Sequence, residues 1–392
     1  MMQREVIVVD TVRTPQGRRG GGLSGMHPSE MLGAVQRELV VRAGIDPALV
    51  DQIVGGCISQ SGAQSFNIAR TAWLAAGLPQ SVPATTVDAQ CGSSQQALGL
   101  AASLIGSGVC EMAVACGVEN MSMVPIGAST SAGPGRALTR AYFDRYEFIS
   151  QFEAGERIAA KWGISRAMCD EFGLASQERA AAAWDRGFFD SEVLAMEAPT
   201  VDADGNATGE TRVVDRDEGL RATSLTALGA LKPVVRADGV HTAGNSSQIA
   251  DQASAVLLAS ADAVRNHRLS ARARIVDHCL VGVDPVLMLT GPIDTTNLLL
   301  ERNGLAMSDL DVIEINEAFA SVVLAWAREL QPDMAKVNPN GGAIAIGHAL
   351  GSTGTRLTGT AVNQLEAADG EWALVTMCCG GGLGTGTLLQ RI

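Results

Sequence analysis

Positive charge is in short supply. The 392 residues hold 29 Lys and Arg against 42 Asp and Glu, a net charge of −13. A surface this acidic repels nucleic acid and anionic lipid and makes both poor partners. A small anionic ligand is still possible, because a local basic pocket can hold one. Long apolar runs are missing too. No stretch approaches the ~20 residues that a membrane helix needs. The opening MMQREVIVVD carries no signal-peptide core, and the closing LLQRI is no peroxisomal or retention address. A soluble, cytoplasmic protein without membrane contact is the expectation. The eight cysteines are scattered and form no CxxC pair, which argues against zinc and against a disulfide framework. No metal site is expected. There is no P-loop, no GxSxG and no HExxH. Gly20–Gly25 fits G-x-G-x-x-G, but Pro15, Arg18 and Arg19 part it from the preceding strand, so it does not open a helix as a dinucleotide site requires.

What is present is glycine, at 44 residues, and a rhythm of short β-branched runs and Ala-rich stretches. Strands are expected at 5–10, 52–57, 84–88 and 112–116, with helices at 30–43 (Ser29 as N-cap), 67–76 and 91–107. Such alternation argues for an α/β fold with a largely parallel sheet. From 119 to 249 the texture changes to Pro, Gly, clustered charge and most of the few aromatics. This reads as an inserted loop region. After 249 the rhythm returns, with strands at 274–281, 312–315 and 373–377. The two parts rhyme. VPATTVDAQCGSSQQA precedes EMAVACGVEN, and KVNPNGGAIAIGHALGSTG precedes WALVTMCCGGG. An internal duplication would place Cys91 and His348 at equivalent helix starts.

Cys91 follows a strand and precedes an Ala/Leu helix. A thiol there would feel the positive end of the helix and its unpaired N–H groups, which favour thiolate. A buried cysteine that merely fills space is the competing reading. His348 sits in a run of small residues that lets the backbone approach a ligand; a satisfied core histidine is its alternative. Cys378 and Cys379 end the last core strand. Successive strand side chains face opposite ways, so one of the pair can reach a given site while the other packs. Asn316, at a strand end, could orient a water or a carbonyl oxygen, or cap the next helix.

Together these segments resemble the thiolase family. DAQCGSS, TAGNSSQIAD (from Thr242), VDPVLMLTGP (from Val283), EINEAF (from Glu314), GGAIAIGHALGSTGTR (from Gly341) and MCCGGGLG (from Met377) match its motifs in order. The resemblance runs from Val6 to the C-terminus. It implies a five-layer α-β-α-β-α sandwich of two duplicated halves with an inserted loop domain. The halves would be 1–118, completed by 250–270, and 271–392; the loop domain would be 119–249. It implies a dimer or a tetramer of identical chains. It also implies roles: Cys91 as acylated nucleophile, His348 as its activator, and Cys378 as the acid/base at the acetyl-CoA enolate. A water held by Asn316 with His348 would make one oxyanion hole, and the N–H groups of Cys91 and Gly380 the other. Carbon–carbon cleavage beside a thioester needs a soft nucleophile that also leaves well, and a thiolate does both.

CoA would be a co-substrate, with no cofactor bound permanently, and acyl-CoA the other partner. Arg221, Ser247, Met288, Ala318 and Phe319 match positions that line the family's CoA groove. There are departures. Ala349 stands where the family usually has Pro, and Gln248 and Ala250 break the usual run after Ser247. Ser150–Gly155 replaces the His-Met-Gly segment of the acyl pocket. Phe152 and Glu153 there are similar to actinobacterial thiolases that take bulky esters, including steroid side-chain CoA esters. The expected reaction is cleavage of a 3-ketoacyl-CoA by CoA to acetyl-CoA or propionyl-CoA, in fatty acid or steroid side-chain β-oxidation. A biosynthetic acetoacetyl-CoA thiolase and a ketoacyl-synthase-type condensing enzyme are the alternatives.

Overall fold

Strand β1 (Val6–Arg13) is buried along nearly its whole length, and two sheets grow out from it. The computed structural model describes residues 4–131, 135–202 and 205–392. The remaining strands of the main path are β2 (Gln52–Gly56), β3 (Ala84–Val87), β4 (Met112–Asn120), β5 (Ala250–Ser260), β6 (Ala273–Gly282), β7 (Val312–Ile315), β8 (Trp372–Cys379) and β9 (Leu383–Arg391). They run β3-β2-β4-β5-β1 and then β6-β9-β8-β7.

The two arrays repeat one plan. β2 is parallel to β3 and β4, and β4–β5–β1 continue antiparallel. In the second array β7 is parallel to β8, and β8–β9–β6 continue antiparallel. A parallel bridge from Ile313 to Val337 stands where β3 stands in the first. The duplication read in the sequence is thus a duplication of strand order. A short antiparallel pairing of Val6–Val8 with Ala273–Ile275 joins the arrays.

Helices α1 (Ser93–Gly106) and α2 (Thr353–Ala367) form the middle layer. Their apolar side chains share one core with residues of both arrays, including Val54, Ala113, Val312 and Val375. Small residues let the layer close. A Cβ on Gly354 would stand 2.3 Å from the backbone nitrogen of Gln95, and one on Gly56 at 2.3 Å from that of Ser94. Outer helices cover the far faces, Pro28–Ala43 on the first array and Gly291–Asn303 on the second. These layers are the α-β-α-β-α sandwich.

Local details depart from the sequence reading in two places. His27, not Ser29, caps the first outer helix, because Pro28 occupies its first turn and needs no N–H partner. Asn316 caps nothing: the next helix, α3, is Ala320–Leu330, and its N-cap position is Phe319. The inserted region holds helices Gln151–Lys161 and Arg166–Asp185 and a hairpin of Met196–Val201 with Ala207–Val214. Its Phe152, Ala154 and Ile158 pack with Met288, Phe319 and Cys378 in a separate apolar cluster.

Candidate active site

Cys91 sits on a strained turn. Gln90 before it adopts φ 54°, a left-handed conformation rare outside glycine. Asp88 Oδ1 accepts the Gln90 N–H at 2.7 Å, and Ser93 Oγ accepts the Ala89 N–H at 3.0 Å. The turn is therefore pinned from both sides. The thiol is buried, and the backbone N–H groups of Gly380 and of Cys91 itself lie near enough to favour its charged form. The sequence reading expects a lowered pKa. In the closed site burial prevails over both N–H groups and pushes the thiol up to about 11. Cys91 also precedes Gly92, the N-cap, and so lies just outside the helix. A base is needed to draw off its proton.

The candidate for that base, His348, precedes the second middle-layer helix. His348 is held by its N–H to Gln248 O at 2.9 Å. Its Nδ1 meets Thr353 Oγ1 at 2.7 Å. The Thr353 hydroxyl donates to Ala349 O at 2.8 Å, so it can only accept from the ring. Nδ1 therefore carries the hydrogen, and Nε2 is the acceptor end of the ring, turned to the Asn316 amide. Asn316 Nδ2 lies 3.3 Å from Nε2. Asn316 Oδ1 is buried and has no partner, an open acceptor suited to a water.

Behind this pair lies a buried charge. Arg356 follows Thr353 by three residues on α2, and Glu314 precedes Asn316 by two on β7, so each shares a face with its neighbour. Both side chains are buried, and neither the guanidinium nor the carboxyl has a hydrogen-bond partner. Burial, helped by the Arg356 charge, drives the His348 pKa down to about 3. The imidazole is neutral at physiological pH. Burial lifts Glu314 to about 8, in spite of Arg356.

Cys378 and Cys379 divide as strand alternation demands. Cys378 packs with Met288, Ala318 and Phe319 under the inserted region, while Cys379 packs with Cys91 in the middle layer. Burial pushes the Cys378 thiol well up, and the nearby Cys91 and Cys379 sulfurs add to it. Cys91, Cys378 and Gly380 thus lie beside one another, and His348 and Asn316 form a second buried pair just before the neighbouring middle-layer helix.

The five groove candidates are less tightly gathered. Arg221 is exposed, with Nη2 3.1 Å from Ala243 O, and lines a cavity of about 160 Å³ with Gln177, Thr223, Leu228 and Gly244. Ser247 donates its N–H to Ala318 O at 3.0 Å. Met288, Ala318 and Phe319 are buried in the apolar cluster, and Phe319 packs edge-on against Phe152 at 4.9 Å. Gln248 spends its amide on the carbonyls of Gly219 and Ile344, each at 2.9 Å, which braces the His348 loop. Thr353, Glu314 and Arg356 are absent from the sequence-based site. A lone Arg in the small-residue run STGTRLTGTA was the available signal.

A model of the thiolase N-terminal domain matches residues 6–262, and one of the C-terminal domain matches 269–391. The chain belongs to the thiolase family. It is an acyltransferase, and CoA is a substrate of its family. It is similar to the steroid 3-ketoacyl-CoA thiolase FadA6 of Mycobacterium tuberculosis, 46% identical over 99% of this chain and 94% of that one. It is 42% identical to a beta-ketoadipyl-CoA thiolase of Pseudomonas putida, over 99% and 100% of the two chains. Human mitochondrial 3-ketoacyl-CoA thiolase in complex with CoA superposes with a TM-score of 0.89, at 33% identity, over 100% and 99% of the chains. Among the described residues, no helix of this thiolase is long and apolar enough to cross a membrane.

Proposed function

We propose that this thiolase works in the degradative direction, cleaving a 3-ketoacyl-CoA with CoA. The observation that supports the reading most is the pair of neighbouring buried thiols, Cys91 and Cys378, together with the buried neutral imidazole of His348 just before the neighbouring middle-layer helix. His348 Nε2 takes the Cys91 proton, and Sγ attacks the 3-keto carbon. The C2–C3 bond breaks, and its electron pair leaves as the enolate of acetyl-CoA or propionyl-CoA. Cys378 gives that enolate its proton. The shortened acyl group stays on Cys91 until the thiol of CoA displaces it, which makes the scheme ping-pong. Imidazolium and the Asn316 water hold one oxyanion, the N–H groups of Cys91 and Gly380 the other. Arg221 and Ser247 hold CoA, with Met288, Ala318 and Phe319 walling the groove. Residues 119–249 act as the loop domain over the centre.

The half-exposed ring of Phe152, facing Phe319, and the similarity to a steroid thiolase support a bulky acyl group. The protein then serves fatty acid or steroid side-chain β-oxidation in the cytoplasm. It acts as a homodimer or homotetramer: β3 pairs with β2 alone and leaves its outer edge open.

The test is a panel of 3-ketoacyl-CoA esters with CoA, from acetoacetyl-CoA to a steroid side-chain ester, following acetyl-CoA or propionyl-CoA release. The wild type should cleave, and Cys91→Ala should lose on the order of a thousandfold or more in kcat. A panel without any cleavage would return weight to the condensing reactions.

A further inference from the structure

Two glutamine side chains flank the reacting centre. A Cβ placed on Gly380 would lie 2.8 Å from Gln151 Nε2 and 3.3 Å from Gln90 Oε1. Gly380 is the residue whose N–H favours the charged form of the Cys91 thiol. The two amides therefore converge on the same small patch, one presenting a donor and the other an acceptor.

The Gln90 side chain is held in place, and Gln151 is placed by its backbone, with its own side chain exposed. Gln151 opens helix Gln151–Lys161, whose N-cap Ser150 accepts the Glu153 N–H at 3.1 Å. Gln90 is fixed by its left-handed backbone and by Asp88, which accepts its N–H at 2.7 Å and its Nε2 at 3.4 Å. Asp88 thereby settles which way the Gln90 amide points. A flipped amide would set two oxygens against each other, so Oε1 is the end turned to Gly380. Among the described residues the Gln151 amide has no hydrogen-bond partner, nor does Gln90 Oε1. The nearby Glu153 carboxylate is occupied by Arg157 at 3.1 Å and Arg236 at 3.5 Å.

We infer that Gln151 and Gln90 form a hydrogen-bonding clamp that selects acyl groups bearing a hydroxyl close to the reacting carbon. A hydroxyl both accepts and donates, so it can take the Gln151 Nε2 hydrogen and give its own to Gln90 Oε1. A plain alkyl chain there strips water from both amides and returns nothing. Beyond the clamp the wall turns apolar at Phe152 and Phe319. The preferred acyl group is thus polar near the thioester and apolar further out. This inference rests on the thiolytic reading and concerns only its acyl pocket.

The probes are 3-oxohexanoyl-CoA and 5-hydroxy-3-oxohexanoyl-CoA, which differ by one oxygen. The wild type should favour the hydroxylated ester by about tenfold in kcat/KM. Gln151→Leu and Gln151→Glu each remove the donor and should bring the ratio towards one. Gln90→Asn tolerates the left-handed backbone but withdraws the acceptor, and should lower the ratio independently. A wild type that cleaves both esters equally overturns the clamp and leaves the thiolase reading intact. A wild-type preference that survives all three substitutions overturns it as well. Failure to cleave either ester, with acetoacetyl-CoA also untouched, removes the thiolytic reading and the clamp together.

Discussion

The two halves share a strand order and put a hydroxyl at the same place for different ends. In the first half Ser93 Oγ accepts the Ala89 N–H at 3.0 Å and donates to Gln90 O at 2.5 Å. It tightens the turn that carries Cys91. In the second half Thr353 Oγ1 donates to Ala349 O and accepts from the ring of His348 itself. One hydroxyl shapes backbone, and the other sets a tautomer. The edges differ as well. β3 is only partly buried, whereas its counterpart Val337 is fully buried. Duplication gives two neighbouring helix starts, and divergence sets a thiol before one and an imidazole before the other.

The bluntest way to break this division is His348→Asn. The variant keeps a polar side chain but has no base for the Cys91 proton. With the thiol lifted to about 11 by burial, thiolate becomes scarce. A loss in kcat of about 10²–10⁴ is expected. Alkylation of Cys91 by iodoacetamide near pH 7 should slow in step. Undiminished alkylation would mean that the helix start alone ionises the sulfur.

Thr353→Val sharpens the comparison more gently. Valine fills the same space but leaves the His348 Nδ1 hydrogen without an acceptor, and the tautomer with hydrogen on Nε2 gains ground. A fall of about tenfold in kcat with little change in KM follows from losing one buried hydrogen bond. Ser93→Ala, its partner in the first half, should cost stability on the order of 1 kcal/mol. An equal kcat loss in both variants would erase the distinction between the two hydroxyls.

Much of this was legible beforehand, and the reasons are local. The strand–helix rhythm shows in β-branched runs such as Val6–Val9, and the duplication shows because both helix starts need small residues. Alternation alone separates Cys378 from Cys379. Three things were hidden. The direction of the Cys91 pKa depends on burial, which is a tertiary quantity. The role of Thr353 depends on where a ring five residues earlier points. Glu314 and Arg356 lie on different elements, and nothing along the chain says that both end up dry in the middle layer. A cap at Asn316 is a natural reading because polar residues after strands often are caps; the helix instead begins at Ala320, with Phe319 at its N-cap position.

Glu314 offers the finest distinction between the halves. Strand β2, its equivalent in the first half, reads QIVGG and has no titratable side chain. In the second half burial raises the Glu314 pKa from its ordinary 4.5 to about 8. Between those values the folded protein keeps a proton that the unfolded chain has released. The folded state binds more protons, so this residue's contribution to stability is full below pH 4.5 and lost as pH rises through 8. His348 acts in the opposite sense. Its pKa falls from 6.5 to about 3, so its contribution is present above 6.5 and lost on acidification. Glu314→Gln copies the protonated acid without titrating. The variant should melt with the wild type near pH 4.5 and above it, by on the order of 2 °C, at pH 8. His348 and every other group are common to both proteins, so the difference between the two melting curves isolates Glu314. A constant offset at both pH values would mean that Glu314 is ionised in the fold and that Arg356 holds a true ion pair with it near the His348 imidazole.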